Sequence, residues 1–273
     1  MSDTKGTVVG SLVRVFRYPV KSMVGEELEK VEVTKRGILG DRAYALVDLE
    51  SGKVVSAKNP RKWSNLFGIT AAFAKPPQQN EALPNVRMTL PTGERLEGNE
   101  GEVNDRLSDL LGRQVELRSA APQEPALEEY WPDIEGLDHR DSVTDEGMPA
   151  DTFFDCGTLH LMTTATLDRL QELYAEGTFD VRRFRPNLVV DSDSSGFPEN
   201  EWIGRRVAIG DDVIIEITGP CPRCVMTTIA QPDLPKDPLI LRTAVQHNDG
   251  NAGVYASVLQ GGQIKQDYPV ALL

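Results

Sequence analysis

VAIGDDVIIEITGPCPRCVMTTI, residues 207 to 229, holds the reading on which the fold turns. Val207 to Ile209 and Val213 to Ile217 are short β-branched runs, the composition of strands. Gly219-Pro220 is a breaker pair, and Cys221-Pro222-Arg223-Cys224 follows it at once. The next residues, VMTTIA, are again β-branched and predict a further strand over Val225 to Ile229. A CxxC is a dithiol redox pair, half of a zinc site, or two buried small residues. The thioredoxin-like case needs a helix starting at the second cysteine, where the helix N-terminus lowers a thiol pKa. A strand after Cys224 removes that support. Structural zinc needs two more ligands at short spacing, whereas Cys156, His139, His160 and His247 are scattered. Two inert buried cysteines and one functional cysteine remain equally open, and Arg223, a cation beside Cys224, favours a thiolate there.

Outward from this stretch the chain stays rich in strands. Val8 to Phe16, Leu28 to Val33, Ala43 to Val47, Leu66 to Phe73 and Val86 to Leu90 read as strands, with Gly25, Gly37, Gly40 and Ser51-Gly52 at the turns. Lys75 to Pro84 reads as a surface loop. Val103, Leu107, Leu110 and Leu111 share helical spacing and predict a short helix ending at Gly112. Ala120 to Pro149 is rich in Pro, Asp, Glu and Gly without periodicity and reads as a linker or a lid that contains the domain boundary. Beyond it, Thr163 or Thr164 caps a helix carrying Leu167, Leu170, Leu173 and Tyr174. Leu188 to Val190, Gly253 to Leu259 and Val270 to Leu273 are strands, and Leu239 to Gln246 a helix. The fold class is mainly β with a few helices, mostly antiparallel because too few helices separate the strands to make crossovers.

Composition narrows the function. The 273 residues carry 29 Lys plus Arg against 42 Asp plus Glu, a net charge of −13. Such a surface disfavours nucleic acid and anionic membranes, whose dominant attraction is through phosphate, so an anionic ligand needs a local basic pocket. Three cysteines are an odd and sparse set, which fits a reducing cytoplasm. MSDTKGTVVGSLVRVF at the N-terminus has no signal-peptide pattern, and no apolar run approaches the ~18 residues of a membrane span.

Three further segments place cations near strand ends. Arg183-Phe184-Arg185-Pro186-Asn187 would present both arginines on one face if extended, a fork for phosphate or carboxylate; a solvated strand edge is the plainer reading. Tyr18-Pro19-Val20-Lys21-Ser22 ends the first strand, and Gly37-Ile38-Leu39-Gly40-Asp41-Arg42 precedes another. His160, in the apolar run LHLM, reads as a hydrogen-bonded core residue, and no histidine receives a catalytic role. The acidic stretch Glu124 to Asp141 reads as a solvated face.

In order, YPVKS, GDRAYALVD, RFRPNLVV, CPRCVMTT and GVYASV resemble the MOSC family, the molybdenum cofactor sulfurase C-terminal domain proteins with an N-terminal MOSC β-barrel domain. The resemblance spans Val8 to Leu272 and is similar to the amidoxime-reducing proteins. It implies an N-terminal β-barrel domain over 7–120, a MOSC barrel domain over 121–273, and Mo-molybdopterin between them. It places the metal ligand and catalytic residue at Cys224. By the same carry-over Lys21, Ser22, Arg42, Arg185 and Asn187 hold the pterin and its phosphate, with Lys58, Thr163, Thr164, Arg183 and Tyr255 as neighbours. Lys58 stands where relatives often have Arg. The implied reaction is reduction of small N-hydroxylated compounds (hydroxylamines, amidoximes, N-hydroxylated bases). Because an iron-sulfur cluster needs four cysteines, electrons are expected from a separate flavin, haem or iron-sulfur protein. The competing expectation is a molybdopterin or sulfur carrier without reductase turnover.

Overall fold

The computed structural model describes residues 6–98 and 101–273, so the first five residues of the N-terminal stretch read above lie outside the described residues. The first half runs β1 (Thr7–Arg17), β2 (Glu26–Glu27), β3 (Lys30–Thr34), β4 (Gly37–Ile38), β5 (Ala45–Asp48), β6 (Thr70–Phe73), β7 (Val86–Thr89), β8 (Arg95–Glu97), α1 (Gly101–Leu111) and β9 (Val115–Arg118). A hairpin of β10 (Ala126–Trp131) and β11 (Ser142–Gly147) follows. The remainder is β12 (Leu159–Thr163), α2 (Thr164–Leu173), α3 (Val181–Phe184), β13 (Leu188–Ser192), β14 (Arg206–Ile209), β15 (Val213–Pro222), α4 (Leu239–Asn248), β16 (Asn251–Gln260), β17 (Gly262–Lys265) and β18 (Pro269–Leu272).

Seven strands in the order β13-β12-β16-β15-β14-β18-β1 close into a barrel, because β1 also pairs with β13 from Gly10↔Ser192 to Val15↔Leu188. Hydrogen bonding thus makes β1 a stave of the second-half barrel, although the expected N-terminal unit includes it. The period-two pattern explains the filling: Val213, Ile215 and Ile217 point inward, joined by Leu12, Leu161, Val190, Val207, Val254 and Val270. One pair, β12 with β13, is parallel, and α2 and α3 lie in the connection between them. A second core gathers the first half around Leu46, Trp63, Phe67, Ile69, Met88 and Leu107. Met226 of the second half is buried in it, with Cys224 and Ile229 packed against it, so the segment around Cys224 docks on the first-half core.

Five local expectations are corrected. Gly219-Pro220 does not end its strand: β15 runs on to Pro222, with its register against β16 shifting around Gly219 and again before Pro222. Val225 to Thr228 is a 3-10 turn, not a strand. There the Thr227 and Thr228 hydroxyls donate to the carbonyls of Cys224 and Val225 at 3.0 and 2.8 Å, a local bonding that competes with the β preference. Arg183 lies inside α3, which Asp180 caps, and Arg185 ends that helix in the left-handed region at φ 55°, so the two arginines diverge and form no extended fork. Ala120 to Pro149 holds a six-pair hairpin, Ala126↔Gly147 to Trp131↔Ser142, whose charged outer face hid its strands. Leu66 to Phe73 likewise divides into a 3-10 turn and β6. Among the described residues no helix is long and apolar enough to cross a membrane.

Candidate functional site

A cavity of about 430 Å³ opens between the two halves of the chain, lined by Lys21, Ser22, Arg42, Lys58, Arg185, Asn187, Cys224 and Tyr255 among others, with Leu127, Glu129 and Trp131 contributed by β10 and Met148 by the residue after β11. All three cysteines line it. Eight of the residues singled out in the sequence thus converge on one place from six separate stretches of chain.

The left-handed backbone of three of them is the first sign of a built site. Ser22, Arg42 and Arg185 have φ of 64°, 46° and 55°. Such geometry is uncommon away from glycine and costs of order 1–3 kcal/mol per residue unless surroundings hold it. Here they do. The Ala57 amide donates to Ser22 Oγ at 3.1 Å, and the Arg42 amide to the Tyr18 carbonyl at 2.8 Å. The Arg185 amide closes α3 on the Val181 carbonyl.

Tyr18 organises the guanidinium groups. Its ring lies between Arg42 at 4.4 Å and Arg185 at 4.2 Å, and its hydroxyl donates to the Pro186 carbonyl at 3.0 Å. Burial pushes the phenol up to about 12, so it stays neutral between the two cations. Asp41 pairs with Arg42 and accepts from the Tyr18 amide at 2.7 Å. Asn187 donates to the same carboxylate at 3.0 Å and to the Phe16 carbonyl at 3.3 Å, while its Oδ1 accepts from the His160 amide at 3.1 Å. Asn187 is therefore a brace that fixes Asp41, and through it Arg42.

Arg185 is different in kind. It is 7% exposed, donates from Nη1 to the Met23 carbonyl at 2.7 Å, and among the described residues has no carboxylate within ion-pair distance. Burial lowers its pKa to about 10, which still leaves it charged at neutral pH. A buried cation without a counter-ion is costly, so its remaining donors mark a place for an anion.

Lys21 donates to the Phe153 carbonyl at 2.9 Å and pairs with Asp155; Lys58 donates to Glu129 at 2.9 Å and lies 3.7 Å from Asp155. Burial opposes the Lys58 charge, yet the Asp155 and Glu129 carboxylates outweigh it and hold its pKa well above the ordinary lysine value.

Cys224 sits half-buried at the mouth of the 3-10 turn, its carbonyl accepting from Thr227. Burial, then the Glu129 carboxylate, pushes its thiol up to about 11. The Arg223 charge does pull the Cys224 thiol down, as expected, but burial outweighs it, and the hydrogen bonds of Arg223 go elsewhere, to Cys221 Sγ at 2.7 Å and to the Phe184 carbonyl at 2.7 Å. Burial, then Cys221, raises the Tyr255 phenol, which faces the same thiol from β16.

Three expected cofactor neighbours lie elsewhere. Arg183 is wholly buried behind α3 and donates to the carbonyls of Thr178, Thr227, Ile229 and Pro235 at 2.8, 3.2, 3.4 and 2.8 Å. Thr163 caps α2, its Oγ1 accepting from the Thr166 amide and donating to buried Glu199 at 2.7 Å. Thr164 donates to Asp191 at 2.7 Å on the surface. Conversely, Tyr18, Asp41, Glu129 and Asp155 belong to the site and were not singled out. The first two lie inside the quoted YPVKS and GDR segments; Glu129 and Asp155 carry no local signal. Among the described residues no three His, Cys, Asp or Glu side chains gather to hold a metal ion by themselves, so the zinc alternative for Cys221 and Cys224 gains no further ligand.

Two family models match the chain. The family model for the MOSC N-terminal beta barrel domain matches residues 9–99, and that for the MOSC domain matches residues 150–271. Mitochondrial amidoxime reducing component 2 of Macaca fascicularis is 27% identical over 241 residues, covering 81% of this chain and 67% of the relative. Its counterpart from Rattus norvegicus is 25% identical over 242 residues, with the same coverage. The crystal structure of the YUAD protein from Bacillus subtilis aligns over 97% of this chain and 95% of its own, at 12% identity and a TM-score of 0.48, a similarity that adds nothing to the fold described above. On the two matched domains, the chain belongs to the MOSC-domain proteins and carries a MOSC N-terminal β-barrel domain ahead of its MOSC domain.

Proposed function

We propose that the chain is a molybdenum-cofactor-dependent oxidoreductase that reduces small N-hydroxylated compounds with electrons from a separate flavin, haem or iron-sulfur protein, in a reducing cytoplasm. The observation that supports this most is Arg185, a buried cation with no carboxylate partner, opening into the same cavity as the half-buried Cys224 thiol. An anion and a soft metal are the two things this pair of groups lacks, and Mo-molybdopterin carries both, with a phosphate at one end and a sulfur-bound molybdenum at the other. The residues present therefore fit the group.

In this reading Lys21, Arg42 and Arg185 hold the phosphate and pterin, Ser22 and Asn187 fix the loops that present them, and Cys224 Sγ ligates the metal. The bound cofactor supplies two-electron reduction at the N–O bond, with overall balance R–NHOH + 2 H⁺ + 2 e⁻ → R–NH₂ + H₂O. The chain's own part is orientation and charge. Cys224, held as a neutral thiol by burial, gives up its proton on ligation, so loading releases acid. Lys58, kept protonated by Asp155 and Glu129, holds positive charge close to Cys224. Leu127 and Trp131 of the hairpin, with Met148, supply apolar and aromatic walls that exclude water from the substrate side.

Reduction of benzhydroxylamine or benzamidoxime by the loaded protein, with a chemical electron donor, tests the proposal. The wild type is expected to turn over and Cys224→Ser to lose activity while keeping its fold. Retained activity and molybdenum in Cys224→Ser would contradict the assignment of the ligand. Cofactor occupancy without turnover with any donor would indicate a carrier.

A further inference from the structure

Asp155 lies in the bend before β12, in the second half of the chain, yet its partners are two lysines of the first half. One carboxylate oxygen pairs with Lys21 and the other lies 3.7 Å from Lys58 Nζ. Among the described residues it is the one cavity carboxylate that reaches two lysines. The lysine side chains are the fixed party: 5% and 14% exposed, they are tied also to the Phe153 carbonyl and to Glu129 at 2.9 Å each. The Asp155 side chain is 30% exposed and, among the described residues, has no hydrogen bond besides Lys21. Arg42 and Arg185 stand close enough for the Asp155 charge to act on both. Without an anion at their centre, four cations from two domains would repel one another in a partly dehydrated space.

We propose that Asp155 is an internal counter-anion: it neutralises Lys21 and Lys58 while the cavity lacks an anionic ligand, and a phosphate group displaces it from them. Resting on the reading that an anionic ligand enters this cavity, it adds how the site selects one. A phosphate carries more charge and more acceptor oxygens than a carboxylate, so it can take over both ammonium groups. Free inorganic phosphate must win this exchange unaided and binds weakly. A larger phosphomonoester, anchored elsewhere in the cavity as well, wins it easily. The carboxylate thus filters small anions from the site and ties the two domains together until the proper ligand arrives.

The test is calorimetric titration of inorganic phosphate, at fixed ionic strength, into the full chain produced without cofactor, comparing wild type with Asp155→Asn. Loss of the competitor is expected to tighten phosphate binding at least fivefold, and Arg185→Met to weaken it at least tenfold in either background. Asp155→Asn binding equally or more weakly, while Arg185→Met still weakens the wild type, overturns the counter-anion and leaves the anion cavity standing. No phosphate binding by wild type or Asp155→Asn overturns both. Should Asp155→Asn fail to fold, Asp155→Ser replaces it. In the unmodified protein the Asp155 carboxyl carbon resonance must shift as phosphate binds; a static resonance during binding also overturns the proposal.

Discussion

Arg183 and Arg185 are two residues apart on the same short helix and end in opposite environments. Behind α3, Arg183 meets four backbone carbonyls from Thr178, Thr227, Ile229 and Pro235 and has no access to solvent. In front, Arg185 meets one carbonyl, the Tyr18 and Phe67 rings, and a cavity. The difference teaches that donor saturation, rather than burial or charge alone, separates a structural cation from one that seeks a ligand. The first pocket is complete within the chain; the second is complete only with an anion.

The largest expected effect of breaking this contrast is at the saturated pocket. Arg183→Met leaves buried carbonyls unpaired and should destabilise the protein by about 3 kcal/mol or more in urea unfolding. A loss below about 1 kcal/mol would show that these bonds do not hold the loops around the Cys224 turn.

Smaller per pH unit is an effect on the strand that backs Arg185. Burial, then the Arg223 charge, pushes His160 from 6.5 down to about 3. The folded protein keeps it neutral, whereas the unfolded chain binds a proton below 6.5, so this residue makes stability fall as pH drops from 6.5 toward 3. The wild type should lose about 1.4 kcal/mol per pH unit across that window relative to His160→Gln. Parallel stability profiles for the two proteins would contradict a neutral buried imidazole.

The barrel's staves were legible as strands because they are β-branched runs such as Val213 to Ile217, in which Val213, Ile215 and Ile217 bury one face, while the barrel itself came from the family resemblance. The hairpin over the cavity was not, since Glu128, Glu129, Asp145 and Glu146 on its strands mimic a loop composition. Lys21, Arg42, Arg185 and Cys224 were found through short motifs, and their convergence is a property of tertiary structure alone. Arg183 shares one of those motifs yet packs behind α3, and Thr163, outside the motifs, caps α2. Residue type and spacing do not tell which way a side chain turns when a helix ends between two arginines. Asp155 and Glu129 were invisible for a related reason: each acts on a lysine far away in sequence, 155 against 21 and 129 against 58.

The smallest change in stability is expected at Arg185, within about 1 kcal/mol for Arg185→Met, because removing an unpaired buried charge offsets the lost packing. Its effect on cofactor content should be the opposite. Molybdenum and phosphorus should therefore be measured in wild type, Arg185→Met and Cys224→Ser purified from a molybdate-supplied host. The expected result is near-stoichiometric molybdenum with phosphorus in the wild type, and loss of both in Arg185→Met despite a normal fold. Cys224→Ser should lose the metal. Full molybdenum and phosphorus in Arg185→Met, or none in the wild type, would contradict the reading of this cavity as the cofactor site.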